Sequence, residues 1–194
     1  MNYNKAKFSK SAKTNAQLPP SKAEVAFAGR SNAGKSSAIN AITNIRGLAR
    51  TSSTPGRTQL LNYFQIEDGF YLVDLPGYGY AAVAKHVQKE WEQSLTKYIE
   101  GRNELRGVVL IMDIRHPLTA YDQEMIHWVA SYNIPMHILL TKSDKIKRNP
   151  AKLVLEQVQK QLIEFSDLIT MQLFSAQDGT GLDAARAKLD EWLV

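Results

Sequence analysis

The sequence predicts a three-layer α/β domain built on a mainly parallel sheet. Three observations predict it. Short apolar runs alternate with helical patterns, one run (Gly107–Asp113, GVVLIMD) is apolar almost throughout, and a glycine-rich loop joins the first run to the first helical pattern. An uninterrupted apolar strand suits a sheet covered on both faces.

After the Pro19-Pro20 break, Glu24–Ala28 reads as a buried strand and Gly34–Asn44 as the helix that follows it. Leu60–Ile66 and Phe70–Asp74 read as two strands joined by a turn at Asp68-Gly69. His86–Gly101 is helical, with Val87, Trp91, Leu95 and Tyr98 at three-to-four spacing. Beyond Gly107–Asp113, Tyr121–Ser131 reads as a helix and Pro135–Leu140 as an apolar strand. Pro150–Phe165 is a helix with proline in its first turn, where its missing N–H does no harm. Leu168–Phe174 and Gly181–Leu193 are the last strand and helix. Trp91, Trp128 and Trp192 fall in amphipathic patterns and read as core or interface residues.

A chain of 194 residues suits one domain with a sizeable core. Its 44% hydrophobic and 22% charged residues are ordinary for a water-soluble protein, and no apolar run has the length a membrane span needs. Residues 1–20 are polar and contain no signal-peptide core. The absence of cysteine excludes disulfides and thiolate metal sites and fits a reducing compartment, so a cytoplasmic protein is expected. The four histidines show no HExxH or HxxxH spacing. Residues 1–22 carry Lys5, Lys7, Lys10, Lys13 and Lys22 and no acid, and the other 19 basic residues balance 19 acids. The net +5 therefore lies in the first 22 residues. Residues 1–21 read as a flexible basic arm that either attracts polyanions or solubilises the chain.

Chemistry concentrates at Gly29-Arg30-Ser31-Asn32-Ala33-Gly34-Lys35-Ser36, which fits G-x-x-x-x-G-K-[ST] between a strand and a helix. Glycine lets the backbone curl so that successive N–H groups point inward, and the helix adds its positive end. Lys35 supplies a cation for β- and γ-phosphates, and the Ser36 hydroxyl is an oxygen ligand for Mg²⁺. Asp74-Leu75-Pro76-Gly77 fits D-x-x-G at a strand end, with Asp74 placed to hold Mg²⁺ through water and the Gly77 N–H to meet a γ-phosphate.

Guanine is favoured by Thr141-Lys142-Ser143-Asp144 after an apolar strand. The Asp144 carboxylate can accept from guanine N1–H and the 2-amino group together, whereas adenine would leave it unpaired. The Lys142 stem can cover the base, Ser175 can brace the loop after Phe174, and the Ala176 N–H can reach O6. In the polar loop Gly47–Gln59, Thr51, Thr54 and Thr58 are all candidates for a second protein ligand of Mg²⁺.

The segments GRSNAGKSS (29–37), TSSTPGRTQLLNYF (51–64), VDLPGYGYA (73–81), DIRHPLT (113–119), LTKSDK (140–145) and FSAQDGTG (174–181) together resemble the EngB (YihA/YsxC) family, within the translation-factor-related GTPases. The resemblance runs from about Lys22 to the C-terminus, so residues 22–194 are expected to form one GTP-binding domain. It implies a Ras-like, doubly wound, six-stranded sheet with one antiparallel edge strand. It favours Thr58 as the Mg²⁺ ligand and places Gly56, Arg57, Thr58, Gln59 and Leu60 against the nucleotide. It also implies a monomer that acts in assembly of the large ribosomal subunit and affects cell division and septation.

Lys35, Thr58 and Gly77 are the residues expected to act in hydrolysis. Tyr78 stands where many GTPases carry the glutamine that orients water, so slow intrinsic hydrolysis is expected. Asn32 either binds K⁺ beside the phosphates or only shapes the loop. Tyr78, Tyr80, Lys85 and His86 either stack on RNA or pack locally. Arg46, Arg50 and Arg57, with Lys145, Lys147 and Arg148, either contact rRNA phosphates or form solvated faces. Arg115 and Asp122 read as an ion pair around the DIRHPLT loop. A nucleotide kinase and a guanine-nucleotide-binding module without appreciable hydrolysis are the alternatives.

Overall fold

In the computed structural model of the chain, the residues described are 1–50, 60–78 and 85–194, without the side chains at 85–88, 90 and 91. Seven strands form one sheet in the order β1-β3-β4-β2-β5-β6-β7. They are β1 (Lys7–Ala12), β2 (Ala23–Gly29), β3 (Leu61–Glu67), β4 (Phe70–Asp74), β5 (Leu105–Asp113), β6 (Met136–Thr141) and β7 (Ile169–Leu173). The helices are α1 (Lys35–Thr43), α2 (Lys85–Gly101), α3 (Ala120–Ser131), α4 (Arg148–Gln161) and α5 (Leu182–Leu193). Pairing is parallel from β4 through β2, β5 and β6 to β7, and β3 runs antiparallel to both β4 and β1.

The apolar run of β5 shows why both faces are covered. Val108, Leu110 and Met112 belong to one buried cluster, with Leu95, Ile126, Val129 and Val158 from α2, α3 and α4. Val109 and Ile111 belong to the other, with Ile39 and Ile42 of α1 and Leu189 and Leu193 of α5. Alternate side chains of one strand thus fill two cores, as the period of two requires. Of the tryptophans, Trp128 meets Tyr132 edge-on and Trp192 packs on β5 at Gly107, where any Cβ would fall 2.6 Å from the indole.

The fold class agrees with expectation, but the sheet has seven strands rather than six. The added strand comes from the segment read as a flexible arm. Residues 7–12 pair with β3 from Lys7 opposite Gln65 to Ala12 opposite Leu61. Tyr3 is buried ahead of them, and its hydroxyl donates to Asp190 at 2.7 Å. Lysine richness misleads here because an edge strand keeps its charged side chains in water while its backbone pairs on one side only. Between Phe8 and Lys10 the register slips by one residue. Lys7 and Lys10 therefore lie opposite Gln65 and Tyr63, residues of a single face of β3.

At the far end of the sheet from the loop, Glu24 is fully buried. It is matched by Arg102, by the Tyr98 hydroxyl at 2.9 Å and by Ser21 at 2.6 Å. A buried carboxylate is tolerable only when donors surround it, and this set ties β2 to the end of α2.

Candidate nucleotide site

β2 delivers the glycine-rich loop to the carboxyl edge of the sheet, where ligands of open α/β sheets bind. Gly29 lies so close to β5 that a Cβ there would sit 3.0 Å from the Cβ and carbonyl oxygen of Ile111. Asn32 and Gly34 have positive φ, 62° and 103°, and these two turns curl the loop into α1.

Outward-facing carbonyls of the loop are taken by β6. The Thr141 hydroxyl lies against the carbonyls of Ala33 and Met112, and the Lys142 ammonium donates to the Asn32 carbonyl at 2.7 Å. Among the described residues, no protein acceptor meets the N–H groups of Asn32, Gly34, Lys35 or Ser36. Four amides at the positive end of a helix are thus left for an anion.

Lys35, the first residue of α1, pairs with Asp74 at the end of β4. Ser36 donates from its hydroxyl to the Arg50 carbonyl at 3.3 Å. The β2–β4 register puts Asp74 opposite Phe27, so Asp74-Leu75-Pro76-Gly77 runs beside the loop. A Cβ on Gly77 would be 3.7 Å from the Gly29 oxygen and the Ser31 nitrogen. Tyr78 then clamps the two segments: Ser31 N–H donates to the Tyr78 carbonyl at 3.0 Å, and Tyr78 N–H to the Gly29 carbonyl at 3.4 Å.

On the other flank, Ser175 donates to Asp144 at 2.8 Å and accepts the Gln177 and Asp178 N–H groups at 3.1 and 3.3 Å. Lys145 lies 3.0 Å from the second Asp144 oxygen. The hydrogen bonds from Lys145 and Ser175 hold the Asp144 carboxyl below its ordinary range, so it is an ionised acceptor at neutral pH. Ser143 N–H donates to the Phe174 carbonyl at 3.2 Å, which joins the two base-side loops, and Ala176 is exposed beside them.

Residues 24–142 match the family model described as "50S ribosome-binding GTPase". The chain is 54% identical to the "Probable GTP-binding protein EngB" of Coxiella burnetii (strain RSA 331 / Henzerling II), over 98% of this chain and 93% of that one. It is also 54% identical to the protein of that name from Nitrosococcus oceani, over 98% and 96%. The chain belongs to the EngB family.

A solved "probable GTP-binding protein engB" shares the fold of this EngB chain, with a TM-score of 0.69 at 22% identity, covering 88% of this chain and 98% of that one. The structure of Era "in complex with MgGDPNP and nucleotides 1506-1542 of 16S ribosomal RNA" shares it too, at TM-score 0.68 and 22% identity, over 89% and 57%. EngB proteins are GTPases, so this one hydrolyses GTP, and the kinase and non-hydrolysing alternatives fall away.

Some sequence expectations about this EngB chain fall on residues that the structure does not describe, and one is corrected by it. Gly56, Arg57, Thr58 and Gln59, with Thr51, Thr54 and Tyr80, lie outside the described residues, as do the side chains of Lys85 and His86. Leu60 is half-buried just before β3. Arg115 and Asp122 do not pair. Arg115 is bidentate to Asp113, at 2.9 and 2.7 Å, because Asp113 stands at the end of β5 two residues away. Asp122 is buried and takes the Tyr78 hydroxyl instead.

Asp113 was missed by sequence reasoning. It pairs with Lys142 at 2.9 Å and so holds the lysine expected to cover the base. Burial opposes its charge, but bonds from Arg115 and Lys142 outweigh that and keep its carboxyl well below the ordinary range. The signal was its place at the carboxyl end of the central apolar strand.

Proposed function

We propose that this EngB chain is a Mg²⁺-dependent GTP switch that acts in the cytoplasm as a monomer, in assembly of the large ribosomal subunit, and that normal cell division and septation need it. One observation carries the nucleotide reading: among the described residues, the amides of Asn32, Gly34, Lys35 and Ser36 meet no protein acceptor where α1 begins. The ribosomal reading is supported by the family description matched over residues 24–142 and by exposed Lys5, Lys7, Lys13, Lys145, Lys147 and Arg148.

In this reading the Gly29–Ser36 loop cradles the β- and γ-phosphates, and Lys35 exchanges the Asp74 carboxylate for phosphate oxygens. The donor set suits a hard cation: a Ser36 hydroxyl at the start of α1 and an Asp74 carboxylate at the end of β4, joined by the Lys35 contact between these elements. Ser36 and Thr58 would hold Mg²⁺ directly and Asp74 through water. When bound, the ion neutralises phosphate charge. Gly77 directs its N–H at the γ-phosphate, and Gly56–Leu60 belongs to the loop that contacts the nucleotide. Lys142 covers the base, Asp144 selects guanine, and Ser175 and Ala176 complete the base contacts.

Co-sedimentation with ribosomal subunits tests the switch. The chain is expected to travel with large subunits in a non-hydrolysable GTP analogue and much less in GDP. Binding should weaken about tenfold or more between 50 and 200 mM salt if several lysines meet phosphates. Equal association in the two nucleotides would refute a switch.

Asn32, held at φ 62° in the loop, supports the further reading that K⁺ assists hydrolysis there. Turnover is then several-fold faster in KCl than in NaCl, and Asn32→Ala removes the difference. Matching rates in the two salts rule this out.

A further inference from the structure

Tyr78 occupies the position after the D-x-x-G glycine, yet its phenol turns away from the phosphate side. It is only 6% exposed, and its hydroxyl donates to Asp122 at 2.9 Å. Asp122 is only 2% exposed, so its carboxylate depends on protein donors. Its other oxygen receives the Thr119 N–H at 3.0 Å and the Thr119 hydroxyl at 2.7 Å, the capping box that starts α3. The Tyr78 hydroxyl is the donor that comes from outside the start of that helix. Burial, and then the Asp122 charge, push the phenol well above its ordinary pKa, so it stays a donor at any working pH.

The main chain of the same residue is fixed from the opposite direction by its two bonds to Gly29 and Ser31. Gly77 is therefore followed by a residue gripped at both ends, by the phosphate loop through its backbone and by α3 through its side chain. A cavity of about 220 Å³, lined in part by Ser31, His116, Thr119 and Asp122, separates the loop from the start of α3, and the Tyr78–Asp122 bond makes the connection beside it.

We propose that Asp122 is a positioning residue for GTP hydrolysis. Acting through the Tyr78 hydroxyl, it holds the Gly77 N–H in register with the γ-phosphate, so that the chain distinguishes GTP from GDP. This rests on the nucleotide site assigned above. The side chain of Asp122 bonds to Tyr78 and Thr119 and to no residue of the Gly29–Ser36 loop. Its effect passes through Tyr78, and it belongs to the triphosphate state, because GDP has no γ-phosphate for Gly77 to meet. A bond to a buried charge is among the stronger ones in a protein, and its loss releases the Gly77 loop on that side.

The test uses the full chain with Tyr78→Phe, Asp122→Asn and the double variant. GDP affinity, affinity for a non-hydrolysable GTP analogue and single-turnover hydrolysis are measured, with melting curves alongside. Tyr78→Phe keeps the ring that fills the core, and Asp122→Asn keeps an acceptor for the helix cap. Each single variant is expected to bind GDP within about twofold of the parent, and to lose about tenfold in analogue affinity and in single-turnover rate. The double variant should match Tyr78→Phe, because once the phenol hydroxyl is gone Asp122 has no bond through which to act on Gly77. If the variants weaken GDP and the analogue equally, the pair only supports the fold and the proposal is overturned; unchanged analogue affinity and rate overturn it as well. Should the parent chain fail to bind GDP, the nucleotide-site assignment itself falls, which is a separate outcome.

Discussion

Replacing Lys35 with alanine is expected to weaken GTP and GDP binding by about a hundredfold or more, and to lower the melting temperature because Asp74 is left buried without its cation. The ammonium is the cation at the start of α1, and it is already paired with a carboxylate that is only 7% exposed. Without it, phosphates must approach Asp74 with no positive side chain between them. Two charge-assisted hydrogen bonds at about 1.5–3 kcal/mol each bring the loss to about 3–4 kcal/mol once water compensates in part, or two to three powers of ten. Alanine suits the first turn of a helix, and the Ala38 N–H still bonds the Gly34 carbonyl at 2.9 Å, so α1 persists. Titration with a fluorescent GDP, paired with a melting curve, checks this. Affinity within threefold of the parent would show that the phosphates bind elsewhere.

Changing Asp144 to asparagine is expected to redirect base choice, not merely weaken it. The ionised carboxylate offers acceptors only, and it is held by Ser175 at 2.8 Å and Lys145 at 3.0 Å where the proposed base contact lies. Guanine presents two donors to it. An asparagine presents one acceptor and one donor, and the donor faces the 2-amino group. Xanthine carries an oxygen at that position and accepts. Guanine nucleotides should lose about a hundredfold to a thousandfold in affinity, and xanthine nucleotides should gain by a comparable factor. Ser175 still finds an acceptor in the amide oxygen, so the loop keeps its shape. Competition of XDP and GDP for the parent and the variant reads both changes. A parallel loss for both bases would mean that Asp144 shapes the loop without touching the base.

Much of the layout of the candidate site was legible because its motifs are local. The loop from Gly29 to Ser36 carries its own glycines, cation and hydroxyl, and Thr141–Asp144 follows an unmistakable apolar strand. What escaped notice depends on contacts between distant residues. Tyr78 and Asp122 are 44 positions apart, and nothing in either segment says that the phenol turns inward. The sequence left stacking on RNA and local packing equally open for Tyr78, and burial decides for packing. Arg115 seemed a partner for Asp122 because both lie near one loop. Strand geometry instead gives it Asp113 two residues back, where a bidentate contact needs no long-range fold. The N-terminal strand was hidden by composition: lysines argue for a solvated arm, whereas pairing is a property of the backbone, and Tyr3 and Ala12 supply the buried anchors.

Among the described residues, that strand leaves one row of main-chain N–H and C=O groups without a neighbour in the sheet, a template on which a second copy would otherwise zip. Lys7 and Lys10 share a face through the slipped register, so two such borders laid side by side would align like charges. The lysines along this border thereby discourage the chain from associating with itself.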